Sequence, residues 1–337
     1  MTTATRDAAE PAEARGLARD GVRLLVVRPD GLTDAAFRDL PQLLAAGDLL
    51  VVNDSATVPA AVDGRREDDT EVVVHLATPL DDGSWVVEVR PPQPSWGPVS
   101  DIVVGERIVL TGGADLEILQ TLPGQRRLHR SRIDTDVPAL LALAGRPVAY
   151  GYVPQRWPLS DYQTVFGYRP GSAEMPSAAR PFTPSTVTDL VRRGVLIAPV
   201  TLHTGVSSPE AHEPPNAERF AVSAATADLV NHVRAHAGRV VAVGTTATRA
   251  LETVAAPDGR VKAGSGWTEL VLGPDRPARV VTGLVTGWHE PGASHVQLLH
   301  AVAGHRLVAA AYAHAERSDY LWHEFGDSCL LLPPVPR

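Results

Sequence analysis

A chain of 337 residues with 44% hydrophobic residues and a mean hydropathy of −0.04 can bury a full core and has room for two domains. Its formal net charge of −8 argues against a surface that coats nucleic acid indiscriminately, although a local basic face remains compatible with it. No window approaches the roughly 18 to 20 consecutive apolar residues of a membrane span, and the opening MTTATRDAAEPAEARG lacks a secretory h-region. The expectation is a cytoplasmic protein that contacts no membrane. The single cysteine, Cys329, rules out an intrachain disulfide and reads as a small core residue.

Residues 1 to about 20 show no periodicity and read as a mobile or surface segment. Order begins at VRLLVV. The run TDAAFRDLPQLLAAG reads as a helix, with Pro41 marking a turn or a new start, and GDLLVVND as a strand buried on both faces. From Val58 to Val148 the texture changes to short alternating runs, EVVVHLAT, SWVVEVRPP, ERIVL, ADLEILQTL and RRLHRSRID, which suggest a small antiparallel barrel or sandwich. Apolar strands then alternate with helices again through GVLIAPVTLHTG, GRVVAVGTTATRALETV and PARVVTGLVTGWHEPG, ending in one long helix from about His295 to His314. The expected fold is therefore α/β: a largely parallel-sheet domain interrupted by an inserted small antiparallel β-barrel domain. Its first segment is 1–57, the insert 58–148 and its second segment, with the active site, 149–337.

Ligands of a parallel α/β sheet bind beyond the carboxyl ends of its strands. The residues just past the buried runs are Asn53 and Asp54, His203, Gly244 with Thr245 and Thr246, and His289 with Glu290. Each admits a structural alternative: an Asx turn for Asn53–Asp54, a helix cap for Thr245 or Thr246, a packed ring for either histidine. Two imidazoles on one sheet edge nevertheless favour proton-transfer chemistry, and the helix start at 244–246 favours an anion such as a carboxylate or phosphate. There is no Walker loop and no GxGxxG at a strand-to-helix turn.

Twelve histidines raise the question of a metal. His295, His300 and His305 recur every five residues and cannot share a helix face, so no metal is expected. The best local basic feature is GQRRLHRSR, whose Arg126, Arg127, Arg130 and Arg132 are candidate nucleic-acid contacts, or else a solvated strand edge.

Between insert and second segment lies DYQTVFGYRPGSAEMPSAARPFT, residues 161–183, too rich in proline, glycine and small residues for a regular element. Its Gly171, Ser172, Ser177 and Ala178 would let the backbone approach a ligand closely, with Phe182 available to stack on a base. A packed interdomain linker is the alternative.

The strings GDLLVVNDSATVPA, DYQTVF, VTLHTG, GRVVAVGTTATRALE, GWTELVL and FGDSCLLL occur in this order between about Val22 and Leu332. Together they resemble the S-adenosylmethionine:tRNA ribosyltransferase-isomerases of queuosine synthesis. The resemblance implies an α/β domain interrupted by a β-barrel. It also implies S-adenosylmethionine used as a ribosyl donor, and a 7-aminomethyl-7-deazaguanine base of tRNA as acceptor, with adenine and methionine released. A monomer or weak oligomer is expected. On that reading His203, His289 and Asp54 are the catalytic candidates. Asn53, Tyr162, Gln163, Thr164, Ser177, Phe182, Thr183, Gly244, Thr245, Thr246, Arg249 and Asp327 are candidates for substrate binding, Arg249 with the 244–246 turn for the methionine carboxylate.

Departures from the family pattern cluster in the central segment. Relatives usually read AAPTAGLHFT where this chain has EMPSAARPFT, so Pro181 stands in place of a histidine and Arg180 also departs. The stretch after VTLH keeps Glu218 but not the family's paired histidines, unless His212 substitutes. GWHEP keeps His289 and Pro291. These changes make Glu174, Met175, Arg180 and Pro181 the expected places of divergence, and leave open a non-tRNA acceptor or an inactive binding protein.

Overall fold

A computed structural model of the chain describes residues 6–92, 97–206, 215–290 and 293–334; His212 and Pro291 lie outside the described residues. The α/β domain is a nine-stranded sheet. At its centre Leu196–Leu202, Leu49–Asn53, Val240–Val243 and Gly283–Thr286 lie side by side and parallel. Antiparallel pairs continue it outward, to Glu218–Val222 and Gly264–Thr268 on one side. On the other side follow Ser328–Leu331, Arg23–Arg28 and Gly31–Ala36.

The apolar runs are buried on both faces because successive side chains alternate between them. Leu49 and Val51 join the core beneath helices Ala224–Ala235, Gly244–Thr253, Ser294–Ala303 and His305–Arg317. Leu50 and Val52 join the opposite core, with Phe37, Leu40, Phe182 and Leu190. Cys329 is buried in the first of these, as a small core residue, and burial pushes its thiol pKa up.

The insert is a closed barrel with strand order Asp115–Leu122, Gln125–Ile133, Trp85–Arg90, Glu71–Pro79, Ala61–Arg66, Arg107–Leu110, every pair antiparallel. The chain enters through Ser55–Thr57 and returns through Arg169–Ser172, and these two short strands pair parallel to one another. No described helix is long and apolar enough to cross a membrane.

Four expectations need correction. The expected helix near residues 33–47 is instead the edge strand Gly31–Ala36, a 3-10 turn and the four-residue helix Leu40–Leu43, with Pro41 in its first turn. Hairpin pairing with Arg23–Arg28 overrides the helical propensity of the alanines. The long helix is two, broken at Gly304, whose φ of 76° favours glycine. Thr245 and Thr246 do not cap the helix beginning at Gly244: it springs directly off the strand, with Val243 in the cap position and no side-chain cap bond. Finally, the N-terminal segment is tied down from residue 6: Arg6–Asp7 pairs with Leu321–Trp322, and Ala8 and Ala12 are buried.

Candidate functional site

The four central strands end on one edge, which brings Asn53 and Asp54, His203, Gly244 to Thr246, and His289 to a single row. His203 follows the outermost of these four strands on one side and His289 the outermost on the other, so they stand at opposite ends of the row. The two imidazoles therefore serve separate places in the cleft.

Asn53 is fully buried and knits the row together. Its Nδ2 donates to the Leu202 carbonyl at 2.8 Å and to Thr246 Oγ1 at 3.2 Å, while its Oδ1 accepts from Leu202 N and Ser55 N. Asp54 accepts from Thr201 Oγ1 at 2.6 Å and pairs with Arg169 at 3.3 Å.

His203 bonds through Nδ1 to Ser55 Oγ at 2.7 Å, and that hydroxyl lies 2.6 Å from Ser172 Oγ, which accepts from Thr204 N. This is the ring's only hydrogen bond among the described residues, so Nε2 is left for a ligand. Burial lowers the imidazole pKa below its ordinary range; Asp54 opposes the shift and Arg169 adds to it. The ring is thus neutral, a free base, near pH 7. His289 is likewise held neutral by burial, then by His295 and His323; it stacks on His295 at 4.6 Å and lies 3.3 Å from Thr286 Oγ1.

The central segment is laid across the whole row. Gly171 is flush against His203, where a Cβ would stand 2.5 Å from Nδ1, and Ala178 packs on Gly244. Ser177, Ala178, Arg180 and Pro181 then line a cleft with Gly287 and Glu324. Glu324 Oε1 is buried and has no hydrogen-bond partner among the described residues. Burial, then Glu174, push its carboxyl up to about 8 against the pull of Arg180, so it is a neutral acid at pH 7.

This shift gives a stability test. The unfolded carboxyl ionises near 4.5 and the folded one near 8. Its stabilising protonation is complete below pH 4.5 and is lost as pH rises to 8. We expect Glu324→Gln to melt with the wild type near pH 4.5 and progressively above it as pH approaches 8. A gap independent of pH in thermal melts would contradict the assignment.

Several expected ligand contacts are instead internal ties. Arg249 spends its guanidinium on Glu218 and on the carbonyls of Leu270 (3.1 Å), Asn216 (3.0 Å) and Thr268 (3.3 Å), which leaves no fork for a methionine carboxylate. Phe182 is buried edge-on against Phe37 and Phe166 and cannot stack on a base. Asp327 accepts from Arg23 N and Leu321 N, and Thr183 caps the helix Pro184–Arg192. Gln163 clamps both backbone groups of Thr57, Tyr162 packs on Phe325, and Thr164 is buried. Thr245 is buried in the first turn of its helix, and Ser177 lines the cleft beside Glu324.

The divergent residues are absorbed in the same way. Arg180 is buried, donates to Glu13 and to the Asp161 carbonyl, each at 2.9 Å, and lies over the Phe325 ring. Met175 is core. Among the four expected nucleic-acid contacts, Arg127 is buried on Glu88, Arg130 is paired with Asp82 and Arg132 with Glu117, while Arg126 is exposed. Among the described residues, Asp7, Glu290 and His323 form a group able to hold a cation, their ligand-type atoms lying within 4.8 Å of one another.

A sheet whose carboxyl edge gathers free imidazoles, a helix start and a protonated carboxyl has the organisation of an α/β enzyme. The family model for queuosine biosynthesis proteins matches residues 3–331. S-adenosylmethionine:tRNA ribosyltransferase-isomerase of Acidiphilium cryptum is 39% identical over 97% of this chain and 95% of its own. The same-named protein of Methylocella silvestris is 36% identical over 95% and 93%. The crystal structure of S-adenosylmethionine tRNA ribosyltransferase from Thermotoga maritima aligns with a TM-score of 0.53 at 27% identity, covering 97% of this chain and 96% of that one. The chain belongs to the queuosine biosynthesis family of tRNA ribosyltransferase-isomerases, and is an enzyme of the transferase and isomerase type.

Proposed function

We propose that the chain transfers the ribosyl group of S-adenosylmethionine to a 7-aminomethyl-7-deazaguanine base of tRNA and isomerises it, releasing adenine and methionine. It would do so in the cytoplasm, as a monomer or weak oligomer. The observation that carries this reading is the neutral His203, its Nε2 without a hydrogen bond among the described residues, at one end of a strand-end row roofed by the small-residue central segment.

A sulfonium acidifies its neighbouring C5′ protons, and His203 is the base suited to remove one. Ser55 fixes the ring through Nδ1, and Asp54 lies close enough to stabilise the imidazolium that forms. The start of helix Gly244–Thr253 presents first-turn N–H groups to the methionine carboxylate, the role that Arg249 cannot fill. Glu324, protonated at pH 7, is the donor suited to the departing adenine, with His289 on the same side of the row.

The expected result is adenine release, read by chromatography, when the chain is incubated with S-adenosylmethionine and tRNA carrying the aminomethyl base. Calorimetry that detected no S-adenosylmethionine binding at millimolar ligand would end this reading. Release with a free nucleoside but not with tRNA would move the acceptor to a small molecule.

A further inference from the structure

We infer that the cleft between the barrel and the second α/β segment is a phosphate-binding subsite that grips the backbone of the RNA acceptor. This rests on the tRNA reading above. The cleft is lined by His75 and Arg90 from the barrel, by Arg146 from the returning connection, and by Arg156, Trp157 and Tyr162 beyond it. The remaining lining residues are prolines, alanines and one valine, so among the described residues the lining carries three arginines and no carboxylate, with Glu88 behind Arg90 at 3.0 Å. In a chain of net charge −8 this concentration of one sign is local.

Two donors in this cleft lack acceptors. Arg146 donates through Nη2 to Asp63 at 2.6 Å, while its Nη1 is buried with no hydrogen-bond partner among the described residues; Trp157 Nε1 is in the same condition. A buried N–H without an acceptor is destabilising, and a ligand oxygen would relieve it. Arg156 is exposed and makes no ion pair among the described residues. Burial disfavours charge on Arg146, Asp63 opposes this and the nearby Arg156 adds to it. A phosphodiester supplies what the cleft lacks: negative charge and several acceptor oxygens, in the geometry that guanidiniums bind. The same segment that lines the cleft at Tyr162 continues to Gly171 beneath His203, which joins this grip to the strand-end row. It is separate from the arginine strand singled out in the sequence, where Arg127, Arg130 and Arg132 are each paired with a carboxylate and Arg126 is exposed.

The test uses the whole chain with Arg156→Ala, Arg146→Gln and the double variant, checked for an unchanged melting transition. Arg156 is exposed, so its variant keeps the test open should Arg146→Gln fail to fold. Unmodified tRNA binding is measured by fluorescence anisotropy at several salt concentrations, and S-adenosylmethionine binding by calorimetry. The double variant is expected to bind tRNA roughly 10- to 100-fold more weakly, to lower the slope of log K against log salt by about one to two, and to keep its donor affinity. Unchanged tRNA affinity and slope in folded variants would overturn the subsite alone. A wild-type chain that binds no tRNA even at low salt would overturn the acceptor reading, and the subsite with it.

Discussion

Replacing His203 by alanine is expected to slow adenine release by about 10²- to 10⁴-fold, the range a positioned general base supplies, with S-adenosylmethionine affinity little changed. The expectation follows from how the ring is held. Ser55 Oγ fixes Nδ1 at 2.7 Å, Ser172 Oγ steadies Ser55 at 2.6 Å, and Thr204 N steadies Ser172 at 3.1 Å. Removing the imidazole takes away the base but leaves the scaffold.

A second variant separates the base from its surroundings. Gly171→Ala keeps every functional group, yet its new Cβ would meet His203 at 2.5–2.9 Å and push the ring aside. It should lose much of the rate and keep the fold. Since burial holds His203 below its ordinary 6.5, the acid limb of the rate profile should fall below that pH, and Gly171→Ala, which disturbs the ring's seat, should shift it. Full activity in His203→Ala would remove this residue from the reaction.

The largest effect on stability is expected from Glu88→Gln, at about 3–5 kcal/mol. Glu88 is fully buried on the barrel face whose His75 and Arg90 line the cleft described above, 2.8 Å from Arg127, 3.0 Å from Arg90 and 3.3 Å from His75. Burial raises its pKa, but these three partners outweigh burial and hold the carboxyl near 2. Its neutralisation would remove the negative charge that lies between two buried guanidiniums. The lowered pKa means that this stabilisation is complete above 4.5 and fades only as pH falls toward 2. Chemical denaturation near pH 7 measures the loss; a change below about 1 kcal/mol would mean that the barrel opens to water at this point.

Much of the architecture was legible because it is written in local runs. Strands such as LLVV and VVAV are too short and too apolar to be exposed, and the residue after each one had to stand on the sheet's active edge. The row from His203 to His289 follows from that rule alone. The roles of Arg180, Arg249, Asp327 and Phe182 did not follow, because a polar or aromatic residue at a motif position looks the same in sequence whether it meets a ligand or a distant part of its own chain. Glu13 for Arg180 and Glu218 for Arg249 are 167 and 31 residues away. The pairing of the GQRRLHRSR arginines was hidden for the same reason, since Asp82 arrives from a turn and Glu88 and Glu117 from other strands. Glu324, the residue with the most displaced carboxyl of the cleft, sits just before the FGD string, and only its enclosure beside Glu174 and Arg180 marks it out.

The ladder between Ser55–Thr57 and Arg169–Ser172 has a mechanical consequence. These are the two strands by which the barrel joins the sheet, and they also supply Ser55 and Ser172, the hydroxyls behind His203. The barrel thus hangs from a clasp whose inner side is the seat of the imidazole. A load on the barrel, such as a large polynucleotide settling against it, bears on that clasp, so docking and the aim of the base share a joint.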